Sequence, residues 1–333
     1  MYSILETTTG AHVDAQAFPT TQTGLARAAS WIARRTVDTP QAVLISMEGT
    51  GSYGRLAAAH LAKVGYRAVE ALTPVRGKGR AKTDALDADR AARDVLGLPA
   101  DGLRDHRAGQ VAGALQVLTT ARDRLSRDRT VQVNALTGLL RTHDLGIDAR
   151  GPLTTVQIKT VKAWRTREEA LDQQIARAEA VRLAARIYEL DTQLKENNTT
   201  LQTLVTEHTP DLLKEPGIGP YTAAVILAAW SHPGRVRSEA AFARLAGTAP
   251  IPASSGNRSE HHRLDRGGDR RLNKALHIAT LVRMRTHDET RGYLHKRTTE
   301  GKTTREIRRQ LKRYLTRKIF RLLTRTNALA VPA

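Results

Sequence analysis

The sequence predicts an α/β domain followed by a helical remainder, an α/β plus α chain in three parts: residues 1–160, 161–209 and 210–333. Three observations predict it. Short apolar runs alternate with helical patterns over roughly the first hundred residues, the rhythm of a sheet with helices packed on it. Residues 165–208 contain no proline or glycine and carry an apolar stripe at alternating spacings of four and three. The C-terminal part ends in a basic amphipathic pattern, with Ile307, Leu311, Leu315, Ile319 and Leu322 on one face.

Taken in order, residues 2–6 and 11–18 read as strands joined by a turn at Thr9-Gly10, and Pro19 ends the second. Thr23 to Arg35 reads as a helix with Leu25, Ala28, Ala29 and Ile32 inward. Ala42 to Met47 is a nearly continuous apolar run, the mark of a buried strand. It ends in Glu48-Gly49-Thr50-Gly51-Ser52-Tyr53-Gly54, after which residues 55–64 predict a helix and 66–71 another strand. A basic loop bearing Arg76, Lys78, Arg80 and Lys82 then meets Thr83, a predicted cap for a helix that opens with Asp84 and Asp87. Residues 101–160 read as mainly helical.

Asp84 and Asp87 are three apart, which puts both on one helix face. Ligands of α/β sheets gather at the carboxyl ends of strands, where Glu48 stands. Three hard carboxylates of this kind suit Mg²⁺ or Mn²⁺, and the four cations before them suit a phosphate chain. The plainer alternative is that Thr83 and Asp84 cap an ordinary helix while Asp87 complements its dipole.

Within 165–208 the stripe is Leu183, Ile187, Leu190, Leu194, Asn197, Leu201 and Leu204. It predicts a self-associating coiled coil, with a long helix packed inside its own domain as the alternative. Beyond Pro210, the run Pro216-Gly217-Ile218-Gly219-Pro220 between helical segments resembles a helix-hairpin-helix, in which Gly217 and Gly219 would turn their amides to a phosphate. A tight turn would read the same way. Ser254-Ser255-Gly256 and Arg258 then lead into the basic stretch Arg263, Arg266, Arg270 and Arg271. A serine in such a loop is either a nucleophile toward a phosphodiester or part of a solvated turn.

Composition narrows the class. Lys plus Arg number 53 against 33 Asp plus Glu, a formal charge of +20 over 333 residues, which points to a nucleic-acid partner. There is no cysteine, so disulfides, thiolate metal sites and cysteine nucleophiles are excluded. No apolar run reaches membrane-spanning length and no signal-peptide pattern opens the chain, so a cytoplasmic, nucleoid-associated location is expected.

Five features now stand in one order: M-E-G-T-G-S-Y-G around Glu48, K-T-D-A-L-D-A around Asp84 and Asp87, the heptad stripe, P-G-I-G-P-Y-T-A-A, and S-S-G followed by R-G-G-D-R-R-L-N. Together they resemble the DEDD-type transposases of the insertion-sequence family one-ten, over nearly the whole chain. The resemblance implies an RNase H-like (RuvC-like) N-terminal domain, a coiled coil used to assemble a homo-oligomer, and a C-terminal transposase domain. It implies that Glu48, Asp84 and Asp87 bind a divalent metal, that Ser255 (Ser254 as fallback) is a covalent nucleophile on DNA, and that an RNA from the element guides recognition. The family's first aspartate lies on a strand upstream of Leu5 and is not matched here, since Asp14 falls in the following strand. A catalytically impaired chain is therefore expected, with a Gly-x-Asp stretch encoded upstream of Met1. A metal-dependent structure-specific nuclease and a DNA-binding remnant without activity are the alternatives to a working transposase.

Overall fold

A computed structural model describes residues 1–36, 38–71, 83–99, 102–252, 262–264 and 267–329. The N-terminal elements come in the expected order, but among the described residues the strands form two separate two-stranded sheets, and the run expected as a buried strand over 42–47 is a strand only from Leu44, which is exposed, while Ala42 ends a short 3-10 turn. Strands β1 (Tyr2–Leu5) and β2 (His12–Gln16) form an antiparallel hairpin, with Tyr2 opposite Gln16. Helix α1 (Gln22–Arg35) starts at Thr21, whose hydroxyl accepts the Gly24 amide at 3.2 Å, and buries Leu25, Ala28, Ala29, Trp31 and Ile32. Strands β3 (Leu44–Met47) and β4 (Arg67–Glu70) pair in parallel across helix α2 (Arg55–Val64). Gly65, at φ +104°, gives α2 its left-handed stop. Helix α3 (Asp84–Arg93) packs on both β1 and β3. The small core here joins Trp31, Ile32, Leu61 and Tyr66 to Ile4, Ile45 and Met47.

The helical remainder packs across the expected division at 160/161. Helix α4 (Gln110–Thr142) lies antiparallel along α6 (Leu171–His208), with α5 (Thr155–Lys162) against their far end. Leu136 and Leu140 of α4 and Ile158 and Val161 of α5 close over Leu183 and Ile187. Residues 110–162 therefore pack against 171–208, because the apolar faces of α4 and α5 match the stripe of α6. The stripe expected to meet a second chain is covered from within. Ile187, Leu190 and Leu201 are fully buried, and Asn197 donates its side-chain amide to the Leu118 carbonyl of α4 at 3.1 Å. Arg129 of α4 adds an ion pair to Asp191 of α6.

Beyond α6 come α7 (Pro210–Leu213), α8 (Pro220–Trp230), α9 (Glu239–Leu245), the antiparallel strands β5 (Pro250–Pro252) and β6 (His262–Leu264), and helices α10 (Arg270–Thr286), α11 (Asp288–Thr299) and α12 (Thr304–Arg325). Helix α8 is buried all round from Thr222 to Trp230 and forms the centre of the C-terminal core. Trp230 meets Phe242 and Phe320 edge-on, with ring centroids 6.1 and 5.8 Å away. The basic helix α12 turns Ile307, Leu315, Ile319, Leu322 and Leu323 into the same domain, so its apolar face is internal. Its start is a capping box, Thr303 with Glu306. Among the described residues no helix is long and apolar enough to cross a membrane.

Candidate functional site

The parallel pairing of β3 and β4 sets Met47 opposite Glu70, so both strands leave the sheet on one side with an acid at or just beyond the end. Glu48 is exposed and opens a tight turn: Gly49 is at φ +64°, and the Ser52 and Gly54 amides both donate to the Gly49 carbonyl. A Cβ on Gly54 would stand 2.5 Å from the Glu48 carbonyl, so only glycine fits there. Asp84 and Asp87 occupy the first turn of α3, whose cap is Thr83, accepting the Leu86 amide at 3.3 Å. Both the cap and the face are as the sequence predicts: Ala91 and Val95, further along, are buried.

Glu48, Asp84 and Asp87 are thus on adjoining elements, but the described residues contain no group of three His, Asp or Glu side chains arranged to hold a metal ion. Each of the three carboxylates is also free of hydrogen bonds and ion pairs among the described residues.

Glu70 is the acid that the sequence reading passed over, although its signal, an acid closing an apolar strand, is that of Glu48. It is a hub. Arg104, Arg107 and Arg235 approach it at 3.0, 3.3 and 2.7 Å, and the buried Thr50 donates its hydroxyl at 3.0 Å. Burial would raise this carboxyl; Arg235, Arg107 and Arg104 outweigh it and hold it at about 2. Arg235 is itself fully buried, and burial pulls it down to about 10 although Glu70 favours its charged form. It is still protonated at neutral pH.

The hub ties two distant motifs together. Arg107 reaches Glu70 with Nε and Asp269 with Nη2, the latter at 3.1 Å. Gly51 of the Glu48 turn lies on the Arg107 side chain so closely that a Cβ would meet its Cδ at 2.9 Å. Asp269 caps α10 by accepting the Arg271 and Leu272 amides. Gly268, at φ +88°, is required because a Cβ would stand 2.4 Å from the Leu245 carbonyl. Ser231 seals the same joint, exchanging hydrogen bonds with both backbone groups of Ala108 at 2.9 and 2.8 Å.

The basic residues divide. Arg271 is committed to α4, with Asp123 at 3.0 Å and the Thr120 hydroxyl at 3.0 Å. Arg270 is exposed at the start of α10. Arg263 falls on β6. Arg76, Lys78, Arg80, Lys82, Ser254, Ser255, Arg258 and Arg266 lie outside the described residues. In the glycine turn, the helix before it is a single turn, α7, and Gly217 (φ +80°) is wedged against α10, where a Cβ would stand 2.5 Å from the Ala279 carbonyl. Its role in the structure is close packing. Gly219 is exposed at the start of α8, with nothing near its Cβ position.

An α/β part with acids at its strand and helix ends, joined by ion pairs to a basic helical part, defines a two-part protein. Comparison with known proteins makes the class specific. A family described as the transposase IS116/IS110/IS902 family matches residues 211–295, and the DEDD transposase family of IS110 matches residues 3–143. The chain is 30% identical to the 42 kDa protein of insertion element IS900 from Mycobacterium paratuberculosis, covering 68% of this chain and 67% of that protein. It is 26% identical to the 44.8 kDa protein of insertion element IS116 from Streptomyces clavuligerus, covering 67% and 66%. The chain spans about two thirds of the length of these relatives. It belongs to the IS110 family of insertion-element transposases, and the DEDD domain carries with it an RNase H-like fold.

Proposed function

We infer that this chain cuts and rejoins DNA as the transposase of its insertion element, using a divalent cation and a serine nucleophile under RNA guidance. The observation that carries the reading is Arg107, which contacts Glu70 behind the Glu48 turn and Asp269 directly after the β5–β6 hairpin. In sequence, Ser255 falls between β5 and β6 and lies outside the described residues. A single guanidinium thus joins the acid at the end of β4 to the residue that caps α10.

Glu48, Asp84 and Asp87 are the proposed ligands for Mg²⁺ or Mn²⁺. Their support is hard oxygen chemistry on adjoining elements, with no cationic partner among the described residues. Among the described residues they do not form a closed ligand set. When bound, it would neutralise charge on the scissile phosphate. In the proposed reaction the Ser255 Oγ attacks phosphorus and an Oγ–P bond forms as the P–O bond to the sugar breaks. The serine proton passes to the departing oxygen, leaving a free hydroxyl. Attack by such a hydroxyl on the phosphoserine reverses the step in a new strand and returns the serine. Arg76, Lys78, Arg80, Lys82, Gly219, Arg258, Arg263, Arg266 and Arg270 are the proposed contacts to nucleic acid.

Denaturing gels of full chain incubated with DNA of the element ends, the element RNA and Mg²⁺ test this. A covalent adduct that survives Ser254→Ala and vanishes in Ser255→Ala is expected. Metal-dependent cleavage with no adduct would replace the transposase reading with that of a nuclease using water.

A further inference from the structure

The motif R-G-G-D-R-R-L-N ends in Asn273, a residue that neither the acids nor the serine loop absorbs. Its side chain is fixed. The amide nitrogen donates to the Ala246 and Gly247 carbonyls at 2.7 and 3.0 Å, so its oxygen faces the other way and accepts the Lys312 ammonium at 2.8 Å. Lys312 is only 6% exposed, and this neutral amide is the sole partner it has among the described residues. A buried ammonium held by a neutral amide is costly, and no carboxylate among the described residues cancels its charge.

The surroundings sharpen the anomaly. His277 stands one turn along α10 from Asn273, and Arg308 one turn before Lys312 on α12, so two i,i+4 pairs face each other across the helix contact. Neither His277 nor Arg308 has a carboxylate partner among the described residues. Burial, then Arg308, pulls the Lys312 ammonium down to about 8; burial, then Lys312 and Arg308, lowers His277. These are signatures of a local positive potential with no counter-ion among the described residues. The pocket of charge adjoins the root of the β5–β6 hairpin. Thr316, one turn after Lys312, accepts a hydrogen bond from the buried Thr248 hydroxyl at 3.1 Å, two residues before β5.

We propose that Lys312, Arg308 and His277, with Asn273 orienting the lysine, form a phosphate-binding site between α10 and α12 that takes one backbone phosphate of the DNA strand led to the hairpin. The site rests on the reading that the chain acts on DNA. It supplies what the buried ammonium lacks, an anion with several acceptor oxygens. It also assigns a purpose to Asn273, whose two carbonyl contacts prevent its side chain from turning away.

The test compares full-length wild type with Lys312→Met, and with Arg308→Gln as a second variant on the more open side. DNA affinity is measured across salt, and thermal stability with and without pyrophosphate. One lost phosphate contact makes the slope of log affinity against log salt shallower by about 0.9, so the loss between about 50 and 200 mM shrinks roughly 3-fold. The expected result is that change in both variants, an undiminished melting temperature for Lys312→Met without ligand, and loss of the stabilisation that pyrophosphate gives the wild type. Wild type that binds DNA with an unchanged slope in both variants overturns the site and leaves the transposase reading intact. Stabilisation by pyrophosphate that depends on Lys312, in a wild type that does not bind DNA, supports the site and removes the DNA reading. Melting of Lys312→Met well below wild type with an unchanged Arg308→Gln slope shows the lysine to be a framework residue and overturns the proposal.

Discussion

Replacing Glu70 with Gln keeps the shape of the hub and removes the carboxylate shared by its three arginines. Arg107 retains Asp269, but Arg104 and Arg235 lose their carboxylate partner, and Arg235 has no solvent exposure through which to relieve the repulsion. The magnitude follows from the depressed carboxyl. A drop from 4.5 to about 2 corresponds to about 3 kcal/mol of folded-state stabilisation at pH 7. That agrees with the roughly 3–5 kcal/mol usually lost when one partner of a buried ion pair is removed. The sign is fixed by the direction of the shift: the folded pKa lies below the unfolded one, so the contribution is complete above 4.5 and is lost as pH falls through about 2. The wild-type advantage over Glu70→Gln should therefore shrink from about 3 kcal/mol at pH 7 to about 1.4 kcal/mol at pH 3. Urea unfolding of both proteins at each pH measures it. Adding Arg235→Met to Glu70→Gln should recover part of the loss, since the uncompensated buried cation goes with it. A difference under about 0.5 kcal/mol at pH 7, or one that does not change with pH, would refute the hub as an electrostatic joint.

Three further outcomes are expected. Gly217→Ala should destabilise by about 2 kcal/mol or more, because the residue is left-handed and its new methyl would strike the Ala279 carbonyl; Gly219→Ala should stay within about 0.5 kcal/mol by the same unfolding assay. Leu190→Ala should cost about 2–5 kcal/mol, and Leu190→Asp should unfold the helical hairpin in circular dichroism, not simply dissociate an oligomer in light scattering. Titration calorimetry should register Mn²⁺ binding that Glu48→Gln and Asp87→Asn each weaken, with melting temperature in metal-free buffer unchanged, since neither carboxylate has a partner to lose.

The α/β part was legible because its strands are short apolar runs with glycine and proline at their ends. Leu44 to Met47 within the apolar run is a strand, although Ala42 belongs to a 3-10 turn before it, and Thr83 announced its helix three residues ahead through the Leu86 amide. The helical part was legible as helices and not as packing. A heptad stripe records that a helix is covered on one side and says nothing about what covers it. Here the partner is α4, whose own stripe is blurred by charged residues such as Arg129, which pairs across to Asp191 of α6. Gly217 misled for a related reason: a glycine that lets a backbone approach a phosphate and one that lets it approach a carbonyl look alike in sequence. Glu70 was missed because its three arginines come from residues 104, 107 and 235, distances along the chain that no motif spans.

Asp14, Asp105, Asp123, Asp191, Glu215 and Glu239 each hold an arginine, as does Glu70. Glu48, Asp84 and Asp87 have no ion pair among the described residues, a condition they share with Asp38, Asp128, Glu168, Asp172, Glu196 and Glu207. Lack of a partner therefore does not by itself mark an acid for a metal; what distinguishes Glu48, Asp84 and Asp87 is their place at the ends of two elements in contact, β3 and α3. In the proposed reaction the Glu70 hub is the frame that joins this part of the chain to Arg235 and, through Arg107, to Asp269. Positioning errors of about 1 Å cost such chemistry roughly 100-fold. A joint strong enough to survive that tolerance is what three guanidiniums on one buried carboxylate provide.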